Sequence, residues 1–146
     1  MSKLYADDSW SLFQSEIDEM PVIVRARSHL PCEADRQLLP ILVIVTWRYD
    51  DTGGGMPSSG VVEQIASLDE AIGSKFEDAG VAIEAASITG NSVKEWRFYT
   101  TSADAFMSAF NASLIGHVPY PLEFSAYGDL SWSALAELLP SPPPAA

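Results

Sequence analysis

Four residues of one short stretch, His29, Cys32, Glu33 and Asp35, carry side chains that ligate metals or attack electrophiles. A transition-metal site needs several ligands converging from fixed directions, each held by further partners. Here all four share one polar loop, and the only other histidine is His117, so ordinary loop polarity explains them better. As a nucleophile Cys32 needs cationic neighbours to form its thiolate; Glu33 and Asp35 oppose that, and Arg36 offsets them only in part. Gly53-Gly54-Gly55 follows a strand-like run and precedes a helix-like one, the place of a phosphate-binding loop. Such a loop carries Lys and then Ser or Thr after its second glycine. Met56-Pro57 stand there instead, and Asp50 and Asp51 would repel phosphate, so the glycines read as a flexible linker.

Two carboxylates do acid–base work when their environments push their pKa values apart. Asp50 and Asp51 share an exposed loop, while Glu84 and Glu95 flank one hairpin, where they either face each other or meet Lys94 and Arg97. Cross-strand surface charge is the simpler account of the second pair. Trp10, Trp47, Trp96, Trp132, Tyr49, Phe98 and Tyr99 have the bulk to stack bases. A base-stacking sheet also needs basic rims, and the strands from Leu38 to Tyr127 supply mainly Arg48, Lys94 and Arg97. Most of these rings therefore belong to a core.

The elements that position these residues follow from hydrophobic period. Residues 9–18 and 22–27 read as two strands joined by a tight turn, with Pro21 starting the second, and residues 31–37 as a polar loop. Leu38 to Tyr49 is apolar on both faces, with Leu39, Ile41, Val43, Val45, Trp47 and Tyr49 on one and Leu42, Ile44 and Thr46 on the other. That pattern marks a central strand covered on two sides. Val61, Ile65, Leu68, Ile72, Phe76 and Ala79 form a helical stripe, opened by Ser58 or Ser59 and closed by Gly80. Residues 81–89 and 93–101 form a hairpin about Gly90-Asn91-Ser92. A second helix capped by Thr101 or Ser102 stacks Phe106, Phe110 and Leu114 before Gly116. A strand at Leu122–Tyr127, a short helix over Ser131–Leu139 and a Pro-rich, extended tail at 140–146 complete the chain. The order strand, helix, strand, strand, helix, strand predicts an α+β, ferredoxin-like antiparallel sheet covered by two helices. An N-terminal β-hairpin and a C-terminal helix are added to it, in one domain over 1–139.

The hairpin segment Thr89-Gly90-Asn91-Ser92-Val93-Lys94-Glu95-Trp96-Arg97-Phe98-Tyr99-Thr100 resembles the turn and "R/K-E-W-x-F-Y" signature of a bacterial family, domain of unknown function 695. The aromatic-ended strand Leu42 to Tyr49 before the Gly-rich loop, and Asp129-Leu130-Ser131-Trp132 leading to Leu138-Leu139-Pro140, point the same way. Lys94 stands where the pattern often has arginine. The resemblance implies no catalytic residues. It implies a distant similarity to regulator of ribonuclease activity B, a small acidic ferredoxin-like protein that restrains a ribonuclease.

Charge carries the functional expectation. Across 146 residues, Lys and Arg number 8 against 20 Asp and Glu, a net charge of −12. That balance argues against nucleic acid and against an anionic membrane surface, and favours a basic protein partner. The partner-facing residues are expected to be Glu63, Asp69, Glu70, Glu77 and Asp78 of the long helix, with Asp50 and Asp51 of the loop before it. With one cysteine there is no internal disulfide, and neither a metal nor another cofactor is called for. No signal peptide is visible and no apolar run is long enough to cross a bilayer, so the expected compartment is the cytoplasm. The expected role is a non-enzymatic acidic protein that masks a basic partner, as an inhibitor, immunity protein or regulator does. The alternative is a ligand-binding or enzymatic domain with a pocket on the sheet face, using Arg25, Arg27, Arg48 or Arg97. A homodimer through the sheet is a third arrangement.

Overall fold

The computed structural model describes residues 10–17, 19–49, 58–72, 81–116 and 120–138. Six strands form one sheet: β1 (Trp10–Ile17), β2 (Met20–Arg27), β3 (Ile41–Arg48), β4 (Ala82–Gly90), β5 (Val93–Thr100) and β6 (Leu122–Gly128). Among the described residues the helices are α1 (Glu33–Leu38), α2 (Ser59–Ile72), α3 (Ala103–Ser113) and α4 (Ser133–Ala136). The spatial order is β1-β2-β4-β5-β3-β6, and every neighbouring pair is antiparallel. Strands β3 and β4 run parallel to each other with β5 between them, the split β-α-β arrangement of the expected ferredoxin-like plan. The β1–β2 hairpin extends this sheet beyond β4.

Both faces of the middle of the sheet are covered. On one, α2 and α3 bring Ile65, Leu68, Ile72, Phe106 and Phe110 onto Val43, Val45, Trp47, Trp96 and Phe98. On the other, Leu39, Trp132 and Leu135 close over Val24, Leu42, Ile83 and Tyr99. The apolar alternation of β3 thus serves two cores, as a strand enclosed between layers must. Leu39 departs from its expected face: Pro40 interrupts the alternation before β3 begins, and Leu39 packs with Leu42 rather than with Val43.

Local chemistry sets the boundaries. The Ser58 hydroxyl accepts the Val61 N–H at 3.3 Å, and Ser102 accepts that of Ala105 at 3.1 Å, so each hydroxyl satisfies a donor at its helix start. The expected continuation of α2 through Phe76 and Ala79 to Gly80, the glycine loop and the Pro-rich tail lie outside the described residues. The 31–37 loop contains helix α1, with acids in its first turn and Arg36 in its last, matching the helix dipole. Strand β2 starts at Met20, one residue before Pro21, and Pro21 sits near the hairpin end opposite Glu16. The last helix is shorter than the expected Ser131–Leu139, because Trp132 takes a left-handed conformation (φ 58°) that delays its start.

Two features set the register of the sheet's middle. Between Glu84 and Ala86 a bulge inserts one residue in β4, so that Ile83 and Ile88, five apart in sequence, both reach the second core. At the β4–β5 turn, Asn91 and Ser92 both have positive φ (53° and 66°), the two-residue turn whose twist suits a hairpin. Gly90 precedes them at φ 143°, and a Cβ there would lie 2.5 Å from the Pro21 carbonyl oxygen. Gly90→Ala is therefore expected to cost ~2–4 kcal/mol through strain at the β2–β4 junction. Urea unfolding should show a lower midpoint with an unchanged slope; an unaltered midpoint would show that β2 yields freely.

Candidate functional site

Strand β5 carries the signature residues, and its alternation divides them between the two layers. Glu95, Arg97 and Tyr99 face the C-terminal segment. Tyr99 and Trp132 stack with ring centroids 3.9 Å apart and planes 5° from parallel. The Tyr99 hydroxyl donates to Asp129 Oδ2 at 2.6 Å across 30 residues of chain. Asp129 Oδ2 also accepts the Ala134 N–H at 3.0 Å, while Oδ1 accepts the Ser133 N–H at 2.9 Å and its hydroxyl at 2.7 Å. Those N–H groups belong to the first turn of α4, so Asp129 does from a distance what an adjacent cap would do. The Trp132 indole N–H donates to the Leu39 carbonyl at 3.1 Å. Arg97 donates to Glu95, to Glu137 and to the Ala134 carbonyl at 2.7, 2.6 and 2.7 Å.

These contacts shape the titration of the group. Burial opposes the charged form of Asp129, but the Tyr99 hydrogen bond and the Ala134 and Ser133 donors outweigh it and hold the carboxyl below its ordinary value of 3.8. Burial, and then the neighbouring Asp129, pushes the Tyr99 phenol well above its usual range. Both Asp129 oxygens are engaged, leaving a latch between strand and tail rather than a poised base. An open, shallow pocket of about 380 Å³ lies beside it, lined by residues including Glu33, Arg36, Gln37 and Ser131.

On the helix side, a charged cluster gathers at the β4 bulge. Trp96 donates its indole N–H to Asp69 of α2 at 2.8 Å. Lys94 reaches Ser87 at 3.3 Å, with its ammonium 5.5 Å from the Trp96 ring centre. Arg25 pairs with Glu84 at 3.2 Å, and buried Arg27 donates to the Glu84 carbonyl at 2.8 Å. The Arg25 and Arg27 guanidiniums lie 3.8 and 4.7 Å from the Trp10 ring centre. Burial raises the Glu84 pKa, with Asp69 adding to the rise and Arg25 and Lys94 opposing it. Burial lowers that of Lys94 against the pull of Asp69 and Glu84.

Of the expected partner-facing acids, Glu63 and Glu70 are exposed on the outer side of α2, and Asp69 turns toward the sheet to meet Trp96. Asp50, Asp51, Glu77 and Asp78 lie outside the described residues. Glu84 and Glu95 do not face each other: Glu84 meets Arg25, and Glu95 meets Arg97 at 2.7 Å on the opposite face. Cys32 is exposed, and among the described residues no three His, Cys, Asp or Glu side chains converge as a metal site would require. Trp47, Trp96, Trp132, Phe98, Tyr99 and Tyr49 are buried, so these rings are core and not a stacking platform. The latch escapes a local reading of the sequence because Asp129 stands four residues before Ser133, too far for an ordinary cap. Among the described residues, no helix is long and apolar enough to cross a membrane.

A family model described as "Family of unknown function (DUF695)" matches residues 8–139, most of the chain. No curated protein and no solved structure matches, so the expected similarity to the ribonuclease regulator gains no support from these comparisons.

The depressed Asp129 pKa makes this latch pH-sensitive with a definite sign. Its contribution is fully present above the ordinary value of 3.8 and is lost as the pH falls through the lower, folded value. Asp129→Asn is expected to cost ~2–3 kcal/mol at neutral pH, since its amide cannot accept all four donors. The gap to wild type should narrow in acid, as read by denaturant unfolding at stepped pH. A gap that stays constant to the acid limit would mean the carboxylate charge is not what holds α4.

Proposed function

The chain belongs to this family of unknown function, and on that premise we propose that it is a non-enzymatic acidic protein that docks on a basic partner protein and masks it, as an inhibitor, immunity protein or regulator does. One observation carries the reading: the disposition of charge. Each Lys and Arg side chain among the described residues is engaged within the chain: Arg25 with Glu84, Arg27 with the Glu84 carbonyl, Arg36 with the Pro31 carbonyl, Arg48 with Glu123, Lys94 with Ser87, and Arg97 with Glu95 and Glu137. These cations are bonded within the chain, while Glu63, Glu70, Glu16, Glu19 and Asp104 stand exposed with the surplus charge. Glu63 and Glu70 lie two helical turns apart on α2, a rigid element anchored through Ile65, Leu68 and Ile72. Carboxylates so spaced can pair with lysine and arginine on an opposing surface, and occlusion follows from the bulk of the domain behind them.

A second reading, a site for a small ligand, is favoured by the gathering of Arg25, Glu84, Lys94, Ser87 and Asp69 at the β4 bulge. It places that ligand at the β4 bulge, away from the exposed side of α2. Glu84→Gln would then abolish ligand-induced thermal stabilisation and leave partner capture intact.

The main reading is tested by capturing partners from the source cell on the immobilised chain at low ionic strength. A basic protein should be retained and should elute as salt rises, with its association rate falling about tenfold or more toward physiological salt. The double reversal Glu63→Lys/Glu70→Lys should weaken capture by roughly tenfold or more without altering the fold. Retention indifferent to both salt and reversal, or no basic protein retained, would remove the reading.

A further inference from the structure

The geometry points to strand β6 as a self-pairing edge through which two copies of this chain join their sheets into one antiparallel sheet. Among the described residues, strand β6 pairs only with β3, and residues 123 to 128 are exposed. Its backbone polarity follows from one contact: the Asp129 N–H donates to the Pro40 carbonyl at 2.8 Å, which makes Pro40 and Asp129 a hydrogen-bonding pair. Alternation along the ladder then directs Glu123, Ser125 and Tyr127 toward β3. The N–H and C=O groups of Phe124, Ala126 and Gly128 point outward, where no strand among the described residues meets them.

Natural edges of this length are usually blunted by lysine, proline or a bulge. Between Leu122 and Gly128 there is none of these, and the one charge, Glu123, is already paired with Arg48 at 3.4 Å. A second copy fits by charge and by shape. With a two-fold axis at Ser125, Phe124 of each copy opposes Ala126 of the other, a large ring against a small side chain on the helix-side face. On the other face Tyr127 opposes Glu123, phenol against carboxylate, and the two Ser125 hydroxyls meet. No like charges stand opposite each other. Shifting the axis to Ala126 would set Glu123 against Asp129 of the other copy, acid against acid. Two molecules of net charge −12 repel overall, so this association should tighten with salt, opposite in sign to the docking proposed for α2 and independent of it.

The test uses the whole chain in light scattering, raised from about 1 µM toward about 1 mM at moderate salt. Mass should rise from 15.8 kDa toward twice that value. Ala126→Pro, which removes an outward N–H that no described strand accepts, and Ala126→Lys should each raise the dissociation constant at least about tenfold, with circular dichroism unchanged. Register is read separately. The two Ser125 positions form a non-hydrogen-bonded pair with Cα atoms ~4.5 Å apart, within disulfide reach. Ser125→Cys in a Cys32→Ser background should therefore oxidise to a covalent dimer, and Glu123→Cys in the same background should not. A monomer mass throughout the range, a dimer that both Ala126 variants leave intact, or cross-linking at position 123 and not at 125 would each overturn the proposal.

Discussion

A strand buried on both faces must hold a different layer with each alternate side chain, and most of this molecule is organised by how β5 meets that demand. On one side Trp96 and Phe98 reach α2 and α3, the first through its indole N–H on Asp69 and the second through its ring against Phe106. On the other side Arg97 and Tyr99 seize the C-terminal segment through Glu137, the Ala134 carbonyl, Asp129 and Trp132. The side chains most suited to chemistry are therefore occupied in joining layers. A buried tyrosine must place its hydroxyl proton somewhere, and a buried carboxylate must fill its lone pairs. Tyr99 and Asp129 solve both problems together, and α4 takes its starting point from the solution.

The bulge in β4 is the second organising feature. By inserting Ala85 it returns Ile88 to the core shared with Ile83, and it frees the Glu84 carbonyl, which the buried Arg27 guanidinium takes up. The Arg27 guanidinium is thereby buried, and Arg25 and Arg27 both lie against Trp10. Among the described residues, the few bases of this acidic chain are each bonded to groups of the chain itself. Cations already paired with groups of the chain do little to offset the carboxylates left outside.

Two surfaces of different physical kind remain. The outer side of α2 carries charge, and the docking proposed for it would act at a distance and be governed by ionic strength. The β6 edge carries almost none and acts only in contact, through backbone groups whose partners must be in register. In the roles proposed for them, the two surfaces would respond to salt in opposite senses and need not compete.

Much of the architecture was legible in the residues. The apolar alternation of β3, the stripe of Val61, Ile65, Leu68 and Ile72, the Gly90 turn and the serine caps are local signals, because propensity and period act over a few residues. Helix α1 was hidden by its brevity and polarity, and Leu39 by the proline that follows it. The candidate site was legible only in its parts. That Asp69 would serve Trp96 while Glu63 and Glu70 stayed outside is settled by the helix's rotation against the sheet, which a count of acids does not contain. The Tyr99–Asp129 bond, the union of Glu84 with Arg25 and the parity of the open β6 edge depend on register between segments far apart. By itself the sequence determined the order of elements, their inward faces and the excess of negative charge. The tertiary structure alone decided which charges were consumed and which remained free, because a carboxylate's role is set by the donors that folding brings within reach of it.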